Sequence, residues 1–348
     1  MAGEFTLFDH AKMFDAKGEN ILPVVNMLAQ SNPIINDAAV KESNSDSGHQ
    51  YAVMTGMPEV TWRRAYEGVQ PSKFTQKVVN ETYGRASTVS VVDVAVAEKG
   101  GKVSEVRAAQ ARTHLEAMSQ EMANKLIYGS TAADEKAFVG LAARYNDTTA
   151  DSARNLVRVK TAAGSTTHRS SIYLVGWDKD KIFGFYPKGT RAGIKIYDYN
   201  PNGQPTKLFD AAGNPFPGYM TQYEWLMGLG VQDWRYGARV ANIDEDDLDT
   251  KAKCGALYDA FLEAVNSIQN LNGIKLVAYA SRKVKFALRN GFLAAGGGAA
   301  AVQVAPTVQQ NNTLTSSGNT GYSANTFYID GIPVKAEDAI SNTEALVS

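Results

Sequence analysis

The sequence predicts an α+β protein that combines a long extended hairpin, one long helix and a later α/β segment. Three observations support that class. Residues 51–62 and 69–79 carry apolar side chains at a period near two (Tyr51, Val53, Thr55; Val60, Trp62), which is strand patterning. Residues 104–128 instead repeat apolar side chains every three or four positions, the spacing of one helix face. Beyond Ser171, short apolar strands alternate with two amphipathic helices.

Taken from the start, residues 1–45 read as an arm, with a short helical pattern at Ile21, Leu22, Val25 and Leu28 set among Asn, Ser, Asp and Gly. Residues 43–48 (Ser-Asn-Ser-Asp-Ser-Gly) form a loop by composition. The hairpin occupies 46–85, with a charged turn at Arg63, Arg64 and Glu67. A two-stranded ribbon is marginal in water, so its apolar residues need a surface to lie on. The chain's own core and a neighbouring copy are the two candidates, and the neighbour is favoured. Residues 86–97 read as a strand whose end has helical character.

The long helix follows, with Ser104 as expected N-cap and Gly129 as expected stop. One of its rows is Val106, Ala109, Thr113, Ala117 and Gln120; the other is Leu115, Met118, Met122 and Leu126. Residues 129–170 are loop-like. Residues 171–177 and 183–187 are expected strands, and Asn200 to Gly203 and Ala212 to Pro215 are turn clusters. Residues 219–240 read as a hairpin bending near Gly228 and Gly230. A helix with a stripe of Leu257, Phe261, Ala264, Val265 and Ile268 follows the acidic run Asp244 to Asp249, which suits a helix start. After it come a strand at 274–280, a helix capped by Ser281, and an Ala/Gly then Asn/Thr/Ser-rich stretch at 294–325 that is flexible by composition. A strand at 327–334, broken by a Gly-containing turn, closes the series.

Composition narrows the function. The 348 residues suffice for two domains, or for one domain with arms. Hydrophobic residues make up 44% and charged residues 20%, as in ordinary globular proteins. A formal net charge of −1 argues against a dedicated nucleic-acid binder, which carries a basic excess. The single cysteine, Cys254, fits a reducing compartment. No signal-peptide pattern and no membrane-length apolar run is visible, so a soluble cytoplasmic product without membrane partners is expected.

Catalytic groups do not assemble. His10, His49, His114 and His168 are scattered, and no two share the four-residue spacing of a helical zinc pair. Cys254 has no partner motif and reads as a buried thiol. The acidic run fails as a calcium loop, because counting from Asp244 the sixth residue is Asp249 and the twelfth is Gly255. Asp244 and Asp246 form an Asp-x-Asp that could hold a metal, with helix capping as the stronger reading. Gly296 to Gly298 lacks the Lys-Ser/Thr of a phosphate loop, and Gly228-x-Gly230 lacks a third glycine. Neither a cofactor nor a metal is expected.

Several stretches resemble a known family. They are Gly56-Met-Pro-Glu-Val-Thr-Trp-Arg63 with Gly68-Val-Gln-Pro-Ser-Lys73, and Ala123-Asn-Lys-Leu-Ile-Tyr-Gly-Ser130 with Phe138-Val-Gly-Leu-Ala-Ala-Arg-Tyr145. Phe185-Tyr-Pro-Lys-Gly-Thr-Arg-Ala-Gly193, Asp233-Trp-Arg-Tyr236 and Gly331-Ile-Pro-Val334 join them. With the order of elements, they resemble the major capsid proteins of tailed bacteriophages, of the Hong Kong 97 type fold, in a podovirus-like subfamily. The resemblance implies an N-terminal arm at 1–45, an extended E-loop hairpin at 46–85 and a peripheral domain at 86–170 with its spine helix at 104–128. It further implies an axial α/β domain with insertions at 171–325, and a last strand at 326–348 returning to the peripheral domain.

The implied function is an icosahedral head shell around the phage double-stranded DNA, assembled in the bacterial cytoplasm and carried in the virion. The implied partners are further copies in pentamers and hexamers, a portal, packaged DNA held non-specifically on the inner face, and in some relatives a decoration protein. The arm leaves no room for a cleaved scaffolding region, so a separate scaffolding protein is expected. Val60, Trp62, Arg63, Arg64, Glu67, Val69 and Phe74 of the hairpin are the expected inter-subunit contacts. An encapsulin-like compartment shell is the alternative, and a metal-dependent nucleotide-sugar enzyme using Asp244 and Asp246 is a remote one.

Overall fold

The computed structural model describes residues 32–98, 103–159, 168–210, 212–270, 273–294 and 326–347. The expected helix at 21–28, His10 and the glycine cluster at 296–298 lie outside them. In chain order the elements begin with α1 (Pro33–Asp37), β1 (Val40–Glu42), β2 (His49–Gly56), β3 (Thr75–Glu81), β4 (Gly84–Asp93), α2 (Val94–Ala97), α3 (Val103–Tyr128) and α4 (Leu141–Arg144). Next are β5 (Leu156–Arg158), β6 (Arg169–Trp177), β7 (Ile182–Tyr186), β8 (Ile194–Asp198), β9 (Thr206–Phe209), β10 (Pro215–Val231) and β11 (Gly237–Asp244). The last are α5 (Lys251–Ser267), β12 (Lys275–Ala280), α6 (Arg282–Ala294), β13 (Thr326–Ile329) and β14 (Ile332–Ala336). Among the described residues no helix is long and apolar enough to cross a membrane.

The chain divides into two compact units. The larger comprises Ser31–Tyr83, Asn124–Arg191 and Met227–Ser348. Its sheet runs β13–β14–β12–β6, with β11 and then β5 beyond β6. Every residue of β6 after Arg169 is buried, so the strand reads as an almost continuous apolar run. Ile172 and Leu174 face the core made with Leu257, Phe261 and Ala264 of α5 and Val284 and Leu288 of α6. The expected stripe on α5 is therefore the face that meets the sheet.

Two capping details separate the helix starts from one another. Ser281 Oγ accepts the Val284 N–H at 3.3 Å, as expected for α6. For α5 the acidic run does not supply the cap. Thr250 Oγ1 accepts the Lys253 N–H at 3.4 Å, while Asp244 to Asp247 are used one step earlier in a 3₁₀ turn, with Asp244 Oδ1 accepting from Asp246 N–H.

The expected 219–240 hairpin is corrected. β10 is one extended strand of 17 residues, and Gly228 and Gly230 lie inside it, paired with Phe185 and Phe183 of β7. A Cβ at Gly228 would lie 2.5 Å from the Phe185 ring, and one at Gly230 would lie 2.6 Å from the Phe183 ring. The two glycines make room for aromatic rings and do not bend the chain.

The final strand, β14, pairs in parallel with β12, Ala278 opposite Val334, and so completes the α/β sheet, while the residues after it reach Tyr128 of α3 through the Ser341 N–H and Glu344. Val334 is fully buried against the same core as α6, which fixes that placement.

The smaller unit comprises Met1–Gln30, Gly84–Ala123 and Ala192–Leu226. Residues 192–226, which sequence grouped with 171–325, instead cluster here. β8 and β9 both pair antiparallel with β10, and Tyr219 of β10 packs with Val92, Val96 and Val106. β4 turns helical at its end, where Asp93 Oδ1 accepts the Ala95 N–H at 2.7 Å and caps α2. Helix α3, 26 residues and so roughly 39 Å long, contributes residues to both units. Ser104 lies inside it and does not cap it. Gly129 N–H donates to Lys125 O at 2.9 Å and ends it as expected. Of its two apolar rows, Met118, Met122 and Leu126 are buried, whereas Thr113 and Ala117 are exposed.

Two glycine substitutions test this account with opposite signs. Gly228→Ala should destabilise the protein by about 1–3 kcal/mol through overpacking. Gly255→Ala, in the interior of α5 with open space around it, should stabilise by about 0.5–1 kcal/mol. Urea melts of both variants read the difference, and a neutral Gly228→Ala would remove the close-approach explanation.

Candidate assembly surface

The hairpin is anchored at one end only. β2 and β3 pair antiparallel from His49 opposite Glu81 out to Gly56 opposite Thr75, with an irregularity between Met54 and Gly56. The ladder then stops, and residues 57–74 form no strand, where strands had been expected out to Trp62 and from Val69. Pro58 and Pro71 flank the gap, and neither has an N–H to donate to a ladder.

Burial falls along the ribbon in step with that change. His49, Tyr51 and Glu81 at the inner end are buried; the outer residues of both strands are mostly exposed. A clamp of charged groups holds the inner end. Arg144 Nη1 and Nη2 donate to the two carboxylate oxygens of Glu81 at 2.8 and 2.7 Å, a bidentate pair. Tyr51 OH lies 2.7 Å from Glu81 Oε1 and 2.7 Å from Val231 O, and Arg144 Nη2 also donates to Leu229 O at 3.0 Å. Burial beside Glu81 keeps the Tyr51 hydroxyl protonated far above neutral pH. The His49 ring packs against Phe183 and Phe185, with centroids 5.1 and 5.7 Å away, and burial followed by the charge of Lys41 lowers its basicity.

At the outer end the predicted contact residues stand in solvent. Trp62 is 96% exposed and Val60 84%; Val69 and Phe74 are more than half exposed. Met54, Met57, Tyr66 and Val78 are exposed beside them, which sequence reading left out. Among the described residues, the chain's own core therefore covers the inner end of the hairpin and not its outer end. The turn closes locally: Glu67 N–H donates to Arg64 O at 3.2 Å, Arg64 N–H to Glu67 Oε2 at 2.9 Å, and Arg63 Nη1 to Glu67 O at 3.2 Å. The Glu67 carboxylate thus holds its own turn, with Tyr66 at φ +69°. Arg63 and Arg64 remain exposed at the tip.

Among the described residues the candidate catalytic groups meet in one pair, His168 with Asp246, and assemble no larger cluster. His114 Nδ1 lies 2.8 Å from Thr88 Oγ1 and its ring stacks on Tyr223. His168 Nδ1 lies 2.5 Å from Asp246 Oδ2, and Lys283 Nζ approaches the other oxygen of Asp246 at 3.4 Å. The hydrogen bond with His168 first, and Lys283 after it, hold the Asp246 carboxyl below the usual range. Asp244 is buried and caps the 3₁₀ turn. No group of three or more His, Cys, Asp or Glu among the described residues is arranged to hold a metal ion. Cys254 is buried near Leu248 O, and burial raises its thiol pKa, the opposite of an activated nucleophile.

Sequence reading also missed the groups that lock the residues after β14. Glu344 accepts from Arg239 Nη2 at 2.7 Å, from Tyr128 OH at 2.6 Å and from Tyr173 OH at 3.0 Å, and Ser171 Oγ bonds its second oxygen. Arg144 and Glu344 sit far in sequence from their partners, so no local pattern marks them.

The described residues form an α+β fold whose hairpin is held at its inner end and exposed at its outer end. Comparison with known proteins gives the family. The sequence pattern of the family described as major capsid protein GP7 matches residues 15–348, and the chain belongs to that family. A chain from the near-atomic-resolution structure of bacteriophage Epsilon15 is 25% identical, with a TM-score of 0.72 over 100% of this chain and 99% of the other. A capsid chain of the native GTA particle (10% identity, TM-score 0.43) covers 70% of this chain and 99% of its own. The SrpI encapsulin of Synechococcus elongatus PCC 7942 (12%, 0.41) covers 65% and 92%. Comparison with curated proteins returns no match. The fold is of the Hong Kong 97 capsid type, and the function is that of a bacteriophage major capsid protein forming an icosahedral shell.

The clamp itself is testable. Arg144→Met leaves Glu81 charged and buried, which should destabilise the protein by about 3–5 kcal/mol. Adding Glu81→Met should restore most of that loss, because the uncompensated charge is gone. Chemical denaturation of the single and double variants measures it; equal loss in both would show that the pair is not the anchor.

Proposed function

We propose that the exposed hairpin is the element that joins one copy of this capsid protein to the next. Val60, Trp62, Val69 and Phe74 would be covered by the adjacent subunit, each contributing roughly 1.5–3 kcal/mol when fully buried, before ordering costs. The observation that carries this reading is the combination of a clamped base with an uncovered apolar tip. Arg63 and Arg64 would set register against acidic groups of the neighbour, at about 1 kcal/mol or less per exposed pair. Glu67 contributes indirectly, by shaping the turn that presents them.

In the same reading, residues 46–85 act as the overlapping loop, residues 1–45 as an arm and α3 as a spine. The copies assemble into pentamers and hexamers through heterologous contacts that close on themselves. A separate scaffolding protein, a portal and, where the shell is reinforced, a decoration protein are the further partners. DNA lies non-specifically on the inner face. The subunit serves by burial and performs no catalysis, and it assembles in the bacterial cytoplasm before residing in the virion.

Trp62→Ala should leave a soluble subunit with an unchanged melting temperature and sharply reduced shell formation. Sedimentation and electron microscopy of purified protein, with its scaffold, read the outcome. Shells formed as readily as by the parent would rule out the hairpin as the joining element.

A further inference from the structure

Helix α1 docks on β12, β14 and the turn after β14 through two carboxyl groups. Asp37 sits among cations: Lys335 Nζ reaches its two oxygens at 2.7 and 2.7 Å, Lys275 Nζ reaches Oδ1 at 2.8 Å, and Tyr279 OH donates to Oδ2 at 3.0 Å. Trp177 Nε1 in turn donates to Tyr279 OH at 2.8 Å. Glu337, directly after β14, is fully buried, and its Oε2 accepts the Ile34 N–H of α1 at 3.0 Å. Ile34 is itself fully buried. The docking of α1 thus places Asp37 and the Glu337 carboxyl in one buried cluster.

We propose that Glu337 and Asp37 form a proton-operated latch, which holds residues 33–37 against β12 and β14 while Glu337 is protonated and loosens them as it ionises. Among the described residues, groups from α1, β12, β14 and the turn after β14 face the cluster. α1 supplies Asp37 and the Ile34 N–H; β12 supplies Lys275 and Tyr279; β14 supplies Lys335. The following turn supplies Asp338, whose carboxylate is held by Arg282 of α6 at 2.6 and 2.7 Å.

The two acids are driven apart. Burial alone would raise Asp37, but the bonds from Lys275 and Lys335 leave it below the ordinary range, so it stays ionised. Burial pushes Glu337 up from 4.5 to about 8, with Asp338 and Asp37 adding to the effect against the opposing pull of the Ile34 and Ala339 N–H groups. At neutral pH the cluster therefore holds one anion and one neutral acid, the arrangement that two nearby carboxyls favour.

The sign follows from proton uptake. An undocked, solvated Glu337 ionises near 4.5, the docked one near 8. Between those values undocking releases a proton, so docking is fully supported below 4.5 and weakens by roughly tenfold per pH unit as pH rises. The weakening levels off once pH passes through about 8. Displacing α1 is the small opening that admits water to Glu337 and removes Asp37 from it. The latch thus controls the first described helix of the chain, which is covalently continuous with residues 1–31.

Hydrogen exchange of the soluble, unassembled full-length protein tests this. The peptide spanning residues 33–38 is followed from pH 5 to pH 9 in the parent and in Glu337→Gln, and their ratio at each pH cancels the intrinsic exchange chemistry. The expected ratio is near one at pH 5, rises at least tenfold by pH 8 and then flattens. Asp37→Asn should make that rise smaller and end it at lower pH. A ratio that stays flat overturns the proposal, as does parallel acceleration of peptides from β6 and α5, which would mean global unfolding. Should Glu337→Gln fail to fold, Asp37→Asn against the parent carries the same comparison, and an identical pH profile for those two overturns it.

Discussion

A ribbon fixed at one end and bare at the other is the constraint from which the rest follows. An isolated two-stranded hairpin has too little partner surface to persist in water. Here its inner residues are secured by Glu81 and Tyr51, both buried, and by the half-buried Arg144, with Glu81 bonded to the other two. That arrangement stabilises the root without shielding the far end. A buried ion pair adds little net stability over apolar packing, but it fixes direction, because a bidentate guanidinium–carboxylate pair tolerates little rotation. The root of the ribbon is thus fixed while its apolar tip is exposed.

The same physics recurs wherever a peripheral segment joins the larger unit. Glu344 ties the residues after β14 to Arg239, Tyr128 and Tyr173, and Asp37 ties α1 to two lysines. Asn242, in the left-handed region at φ +61°, exchanges two hydrogen bonds with the backbone of Val347. Each attachment uses buried polar groups whose loss would strand a partner without water or a bond. The sheet and its two helices, by contrast, cohere through ordinary apolar burial.

Legibility in the sequence divided along that line. The stripe on α5, the burial of β6 and the strand-to-helix switch after Asp93 rest on local periodicity or a single cap, and each was readable. Gly228 and Gly230 were misread because a glycine in sequence looks the same whether it frees the backbone or vacates space for a ring on another strand. Val60, Trp62, Val69 and Phe74 were expected to need an outside surface because a two-stranded ribbon offers them none; they are exposed, although residues 57–74 form no strand. The pairing of β14 with β12, and Glu81 with Arg144, depend on residues 56 and 63 positions apart (Ala278 with Val334; Glu81 with Arg144). No window of sequence contains such a pair.

Glu344 meets Tyr173 and Tyr128 across separations of 171 and 216 residues. Closing chain segments of that length costs entropy before any contact rewards it, and topologies dominated by distant partners acquire their native form slowly. A sheet that needs its late strand β14 stays incomplete through most of that search. The last tie of the fold is therefore one that no early stretch of the chain can make alone, because Glu344 must be in place before Tyr128 and Tyr173 find their partner.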